Sequence, residues 1–202
     1  MSVMTRRVAR LALLVPLVGG SLIPVAGAMA AEECHGHVAY DVGTNGDDDM
    51  YVYAYNDIVA AKDGDDIVDG GADDDILCGA EGSDTRGSGV YGNDNSDEVF
   101  GGGGNDDVGG GEGQDEVYGV DGGDDVNGAG GADTASGGDG NDVVRGGDGN
   151  DTVGGDGGSD DVYGGNGVDY ILGGAGGNDH CYYGEDDIVS WATCEYTHYG
   201  SW

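Results

Sequence analysis

Gly146-Gly147-Asp148-Gly149-Asn150-Asp151-Thr152-Val153-Gly154 is the stretch that decides the fold. Glycines at positions one, two and four permit the backbone angles of a tight turn. Asp151 at position six closes that turn, and Val153 at position eight stands between two small or polar neighbours. This alternation is the period of a strand with one inward apolar side chain. The nonapeptide thus joins a turn with free backbone oxygens to a very short strand.

The same nine positions recur on both sides. Five units run without a gap from Gly43 to Gly87, with Asp48, Asp57, Asp66, Asp75 and Asp84 at position six. Ser88 to Tyr91 then break the register, and eleven more units run from Gly92 to Ser190. Their sixth residues are Asp97, Asp106, Asp115, Asp124, Asp133, Asp142, Asp151, Asp160, Asp169, Asn178 and Asp187. Position eight is mostly valine, from Val59 and Val68 to Val162 and Val189, with Arg86 and His180 as exceptions. Two units make an 18-residue coil with strands on two opposite sheets. Sixteen units therefore predict an all-β solenoid, a parallel β-roll of about eight coils over residues 43–190.

One buried valine per nine ordered residues is too little apolar burial to offset the backbone entropy of a glycine-rich chain. Stacking also sets carboxylates 18 residues apart, such as Asp115 and Asp133, about 5 Å from each other, where bare charges repel. A hard divalent cation between them reverses the sign. Calcium takes about six to eight oxygen ligands, magnesium demands a tighter octahedron, and soft metals want nitrogen or sulfur. Multiple Ca2+ ions are therefore the expected cofactor. The candidate ligands are Asp48, Asp57, Asp66, Asp75, Asp97, Asp106, Asp115, Asp124, Asp133, Asp142, Asp151, Asp160, Asp169, Asp179 and Asp187. Asp179 replaces Asn178 because Gly176-Gly177-Asn178-Asp179 reads as a one-residue slip. Near Asp84 the pattern fails, since Arg86 stands where an apolar residue should point inward. A disturbed coil and weaker sites are expected from Arg86 to Tyr91. The unit Val52 to Ala60 departs too, lacking all three glycines.

On these residues, Gly43 to Ser190 resembles the RTX, or haemolysin-type, calcium-binding nonapeptide repeat family, most closely from Asp97 to Leu172. The resemblance implies a right-handed parallel β-roll with calcium held between successive turns. The ends resemble a subgroup of exported bacterial repeat proteins. Those begin with a cysteine before a Gly-Thr-x-Gly-Asp-Asp unit, here Cys34 and Gly43 to Asp48, and finish in a Cys-Glu pair, here Cys194-Glu195.

Residues 1–30 read as a secretory signal, with Arg6, Arg7 and Arg10 before an apolar run and Ala28-Met29-Ala30 as a cleavage site. Thr5-Arg6-Arg7 is a poor twin-arginine match, so general secretion is favoured over Tat. Beyond residue 30, only Lys62, Arg86 and Arg145 face 41 acids, a formal charge of −38. Such a chain does not attract nucleic-acid phosphates or anionic lipid heads, and no segment is apolar enough for membrane insertion. Four cysteines in an exported chain favour disulfides. Three pairings are open. Cys34–Cys78 with Cys181–Cys194 is preferred because it staples one end each; thiolate metal ligation is the weaker alternative, since no CxxC spacing exists.

Residues 31–42 and 191–202 are read as short terminal caps. Ile58, Ile67 and Ile76 put apolar side chains outward; Ile58 and Ile76, 18 apart, stack on one sheet with Cys78 facing the same way, and Cys34 to Val42 is expected to cover that strip. The tail with Trp191, Tyr196 and Trp202 is expected to cap the other end, near Ile188. His35 and His37 flank Gly36 and could suggest a copper or zinc site, but an exposed terminus is the simpler reading. No Ser-His-Asp, Cys-His or HExxH constellation is visible, so no enzyme is expected. The sequence points to a secreted calcium-binding repeat protein. The alternative is a calcium-dependent adhesin or a glycan- or ice-binding protein. Those need an aromatic strip or a flat threonine array, whereas the outward positions show mainly Asp, Glu and scattered Tyr. A cell-surface or glycan partner stays open.

Overall fold

Strands begin wherever the repeat brings its aliphatic position round. In the computed structural model, residues 33–34, 36–81, 84, 89–190 and 193–200 are described. The signal-peptide reading of residues 1–30 lies outside them, as do His35, Arg86, Trp191 and Trp202. Among the described residues every regular element is a strand.

Successive units alternate between two parallel sheets. One contains Ile67–Ala72, Val90–Asp94, Asp107–Gly113, Asp125–Gly131, Val143–Gly149 and Asp161–Gly167; the other contains Ile76–Glu81, Glu98–Gly104, Glu116–Gly122, Thr134–Gly140 and Thr152–Gly158. Val108 pairs with Val126 and Val126 with Val144, each 18 residues on. This is the β-roll anticipated from the period. The interior strands are longer than expected, mostly seven residues, because pairing continues into the turn. Gly109 pairs with Asn127 and Gly111 with Ala129, while Gly110, at position one, is stepped over. The glycine at that step makes the kink between the aliphatic half and the turn half of each unit.

The core is a single file of position-eight side chains between the sheets. Val59, Val68, Leu77, Val90, Val99, Val108, Val117, Val126, Val144, Val153, Val162 and Ile171 are fully buried. Ala135, Cys181, Val189 and Cys194 continue the file. β-branched residues suit this line because their stiff χ1 costs little to fix in a strand.

Two irregular places break the count of nine, and the second follows the one-residue slip read at Asp179. Val68 pairs with Val90, and Val90 with Val108, so Val90 fills the inward position of this coil. The extra residues therefore lie between Asp84 and Gly89, and Val90-Tyr91 belong to a strand rather than to the break. At the second place, Val162 pairs with Cys181, which puts Cys181 inward in place of His180. A fixed count of nine could not tell on which side of the aspartate the additional residues fall; the requirement for a buried apolar side chain decides it.

Both ends carry a disulfide: Cys34–Cys78, with Cα atoms 5.7 Å apart, and Cys181–Cys194, at 5.8 Å. Glu33–Cys34 and His37–Val38 form a small antiparallel hairpin. Cys34 and Ala39 pack with Ala60, Ile58, Ile76 and Cys78, so this segment covers Ile58 and Ile76, while Ile67 lies on the other sheet. Asp41–Val42 itself adds a parallel rung to the roll, pairing with Val59 and Ala60. At the other end, Tyr196–Tyr199 adds a further strand beside His180–Tyr183.

Candidate metal centre

Position six is where the polypeptide leaves the turn and enters the strand, so its side chain lies in the bend between the sheets. Stacking aligns these residues in two columns. One runs Asp48, Asp66, Asp84, Asp106, Asp124, Asp142, Asp160 and Asp179; the other runs Asp57, Asp75, Asp97, Asp115, Asp133, Asp151, Asp169 and Asp187. Within each column the amide of one aspartate donates to Oδ1 of the next. Asp115 donates to Asp133 at 3.0 Å, and Asp133 to Asp151 at 2.9 Å. Both columns cross the insertion without a break: Asp75 donates to Asp97 at 2.7 Å and Asp84 to Asp106 at 2.9 Å. Asp160 donates to Asp179 at 3.1 Å, so Asp179 takes the place that Asn178 would hold in strict register. Asp84, left aside on sequence grounds, is a full member of its column.

Each interior aspartate thus spends one oxygen on tying two coils together. The second has no partner. Oδ2 of Asp66, Asp75, Asp84, Asp97, Asp106, Asp115, Asp124, Asp133, Asp142, Asp151, Asp160, Asp169 and Asp179 is buried and accepts no hydrogen bond. Burial of an unpaired charged oxygen is costly and is rare in folded proteins. Thirteen repetitions of it along two columns make a regular feature of the fold rather than a local defect.

The carboxyl groups report the same stress. Burial pushes Asp84, Asp97, Asp124 and Asp160 up to about 7, against the lowering effect of the amide hydrogen bond; neighbouring carboxylates raise them further. Asp66, Asp75, Asp115 and Asp151 reach about 6 for the same first cause.

Oxygens from two successive coils face the same narrow space beside position one. A β carbon placed on Gly101 would lie 2.8 Å from Asp106 Oδ2 and 2.9 Å from the Gly119 carbonyl oxygen. Asp124 Oδ2 with the Gly137 carbonyl, and Asp160 Oδ2 with the Gly173 carbonyl, converge in the same way at Gly119 and Gly155. Glycine is required there because a side chain would fill the space these oxygens enclose. Among the described residues no three His, Cys, Asp or Glu side chains come together in one group. A cation held here would draw on one carboxylate oxygen per unit and on backbone carbonyls, an all-oxygen donor set suited to a hard cation of the calcium type. The donors fit.

The column ends differ. Asp48 Oδ2 accepts from the Thr44 amide at 2.6 Å and from Thr44 Oγ1 at 2.8 Å, and Asp187 Oδ2 accepts from the Gly184 amide at 2.7 Å. Glu195 closes the first column by accepting the Asp179 amide at 3.0 Å, a role that its place after Cys194 did not reveal. A second ladder was also invisible in the repeat pattern. Side chains at position five accept amides from the coil that follows: Asn105 from Gly123 at 2.8 Å, Asn141 from Ser159 and Asn150 from Val168, both at 2.9 Å. The frequency of Asn at that position was the available signal. His37 is exposed.

Comparison with protein families finds a match to the family described as RTX calcium-binding nonapeptide repeat (4 copies), over residues 42–77, 51–85, 90–117, 118–153 and 154–187. The match pauses between residues 85 and 90, where the roll takes its insertion. No curated protein and no solved structure matches the chain. Since the family's repeats extend over most of the sequence, and each coil places the repeat's aspartate in the same bend, this protein belongs to the RTX calcium-binding nonapeptide repeat family.

Proposed function

We propose that this protein is an exported, non-enzymatic repeat protein that folds around calcium ions held between successive coils. The observation that carries the reading is the set of thirteen buried Oδ2 atoms without a partner. These aspartates are the proposed ligands, with turn carbonyls completing the donor set. Asp84 joins them. Asp57 stays among them on its burial. Asp48 and Asp187, proposed as ligands from the sequence, have second oxygens already engaged by Thr44 and Gly184 and serve as column ends. A bound divalent ion supplies the counter-charge that lets the carboxylates remain ionised inside the roll. Export is supported by the two disulfides, which persist in oxidising compartments, and by the signal-like residues 1–30. The absence of a catalytic constellation in the sequence supports a binding role.

Circular dichroism of the full chain at pH 7.5 tests this reading. Strong β-signal in millimolar calcium that collapses in excess chelator is the expected result. An identical β-signal in both solutions contradicts it.

A further inference from the structure

Outward tyrosines that look scattered in the sequence stand together on the sheet that ends with Tyr196–Tyr199. Tyr163 and Tyr182 stack at 4.2 Å between centroids, with planes 7° apart. Tyr182 stacks in turn on His198 at 4.5 Å. Their separations in sequence, 19 and 16 residues, hide the column, because the slip at Asp179 and the short last coil both displace the period. Tyr163 is the first ring of this stack. Its other side looks toward Arg145, whose guanidinium carbon is 5.8 Å from the ring centroid.

A groove of about 580 Å³ opens at this point. Its walls are Asn127, Arg145 and Tyr163 on one side and Asp148 and Asn166 on the other, and Ala129 with two glycines makes its floor. Arg145 is held by Asp125, and Asn166 donates to Asp148 Oδ1 at 2.7 Å. The volume lies within the range of about 300–1,000 Å³ that accepts small ligands. One aromatic wall, a floor without side chains, and an amide, a carboxylate and a guanidinium at fixed places form a donor and acceptor set for vicinal hydroxyls. With Tyr182 on one face and Arg145 over the other, Tyr163 presents its ring edge to the groove, an apolar contact for the C–H face of a cyclic polyol. The charge of the whole roll disfavours anionic ligands.

We propose that the groove between Tyr163 and Asp148 binds a neutral sugar ring. The edge of the Tyr163 ring packs against it, and Asn127, Asp148 and Arg145 bond its hydroxyls. The proposal takes the calcium-folded roll as its scaffold. It assigns the surface a ligand class distinct from the ions in the bends.

The test uses the full chain in millimolar calcium. Saturation-transfer NMR is recorded with maltotriose, cellotriose and chitotriose, and with oligogalacturonate as the anionic control. At least one neutral saccharide is expected to bind and oligogalacturonate to fail. Tyr163→Ala is expected to weaken binding about tenfold or more, Tyr163→Phe to retain it, and Asn127→Ala to weaken it less. Calcium-induced dichroism should be the same in all three variants. A chain that folds in calcium but ignores every saccharide overturns the groove and leaves the calcium reading intact. Binding that survives Tyr163→Ala unchanged also overturns it. A chain that stays unfolded in calcium defeats both readings.

Discussion

Asp133, midway along the roll, and Asp48, near its N-terminal end, hold the same place in the repeat and differ in their surroundings. Asp133 is 2 % exposed, its Oδ1 takes the Asp115 amide, and its Oδ2 is without a partner. Asp48 is half-buried, and Thr44 closes its Oδ2 with an amide and a hydroxyl. The interior aspartates have no donor for the second oxygen, while at Asp48 and Asp187 the chain supplies one of its own, and each end of the roll adds a disulfide. A repeat residue thus reads as a ligand or as a cap by what its second oxygen meets, not by its position in the motif.

The broadest way to break this comparison is pH in excess chelator. Burial raises the folded-state values of the interior aspartates above an ordinary 3.8, to about 6 at Asp66 and about 7 at Asp97 and Asp124. Protons therefore bind the folded state more tightly than the unfolded one. Their stabilising contribution is complete below about pH 4 and is lost as pH rises through 6 to 7. Metal-free protein should show more β-signal at about pH 5 than at about pH 8. With calcium present the order reverses, since protonation removes ligands. A chelated chain with pH-independent dichroism would mean that the interior carboxylates carry no such strain.

The ends should respond chiefly to their disulfides. Cys34–Cys78 spans 44 residues and Cys181–Cys194 spans 13. In the chain-entropy account, removing them by Cys→Ser pairs costs about 4 and about 3 kcal/mol. Hydrogen exchange in calcium should show the lost protection concentrated in the coils nearest each bridge. Uniform loss along the roll would erase the distinction between ends and interior.

Single substitutions sharpen the contrast further. Asp133→Asn keeps an acceptor for the Asp115 amide and removes the charge. It should cost about 2–3 kcal/mol of calcium-loaded stability, against about 0.5–1 for Asp48→Asn. Denaturant titration in calcium reads both, and equal losses would contradict the assignment. The smallest effect is a gain. Val120 holds φ at 91° at position two, where seven of the sixteen units place glycine, and the residue is 40 % exposed. A β-branched residue in that region is strained, so Val120→Gly should add about 1 kcal/mol by thermal unfolding.

Much of this architecture was legible in the period alone. Val108, Val126 and Val144 were placed inward by counting nines, and the pairing of strands 18 apart follows from the same count. Counting nines lost the frame after Asp84, because it carries no information on where extra residues enter; at His180 the one-residue slip read at Asp179 had already restored it. Val90 and Cys181 show that inward packing fixes the frame instead. The aspartate columns were legible as a set of candidates. Their amide ladder was not, because its donors are backbone groups one coil away and leave no trace in residue type. Seen from the sequence, stacked Asp115 and Asp133 only repel; in the fold, one oxygen is a structural acceptor and the other is free. Glu195 was missed for a related reason, as the tail had no repeat to reveal its register.

Calcium counting by titration calorimetry of the full chain at pH 7.5, with dichroism followed in parallel, tests the central claim most directly. About ten ions taken up together with the rise of β-signal is the predicted result, in keeping with thirteen orphaned interior oxygens. Uptake of only one or two ions, or a roll already formed before the first ion binds, would contradict the account.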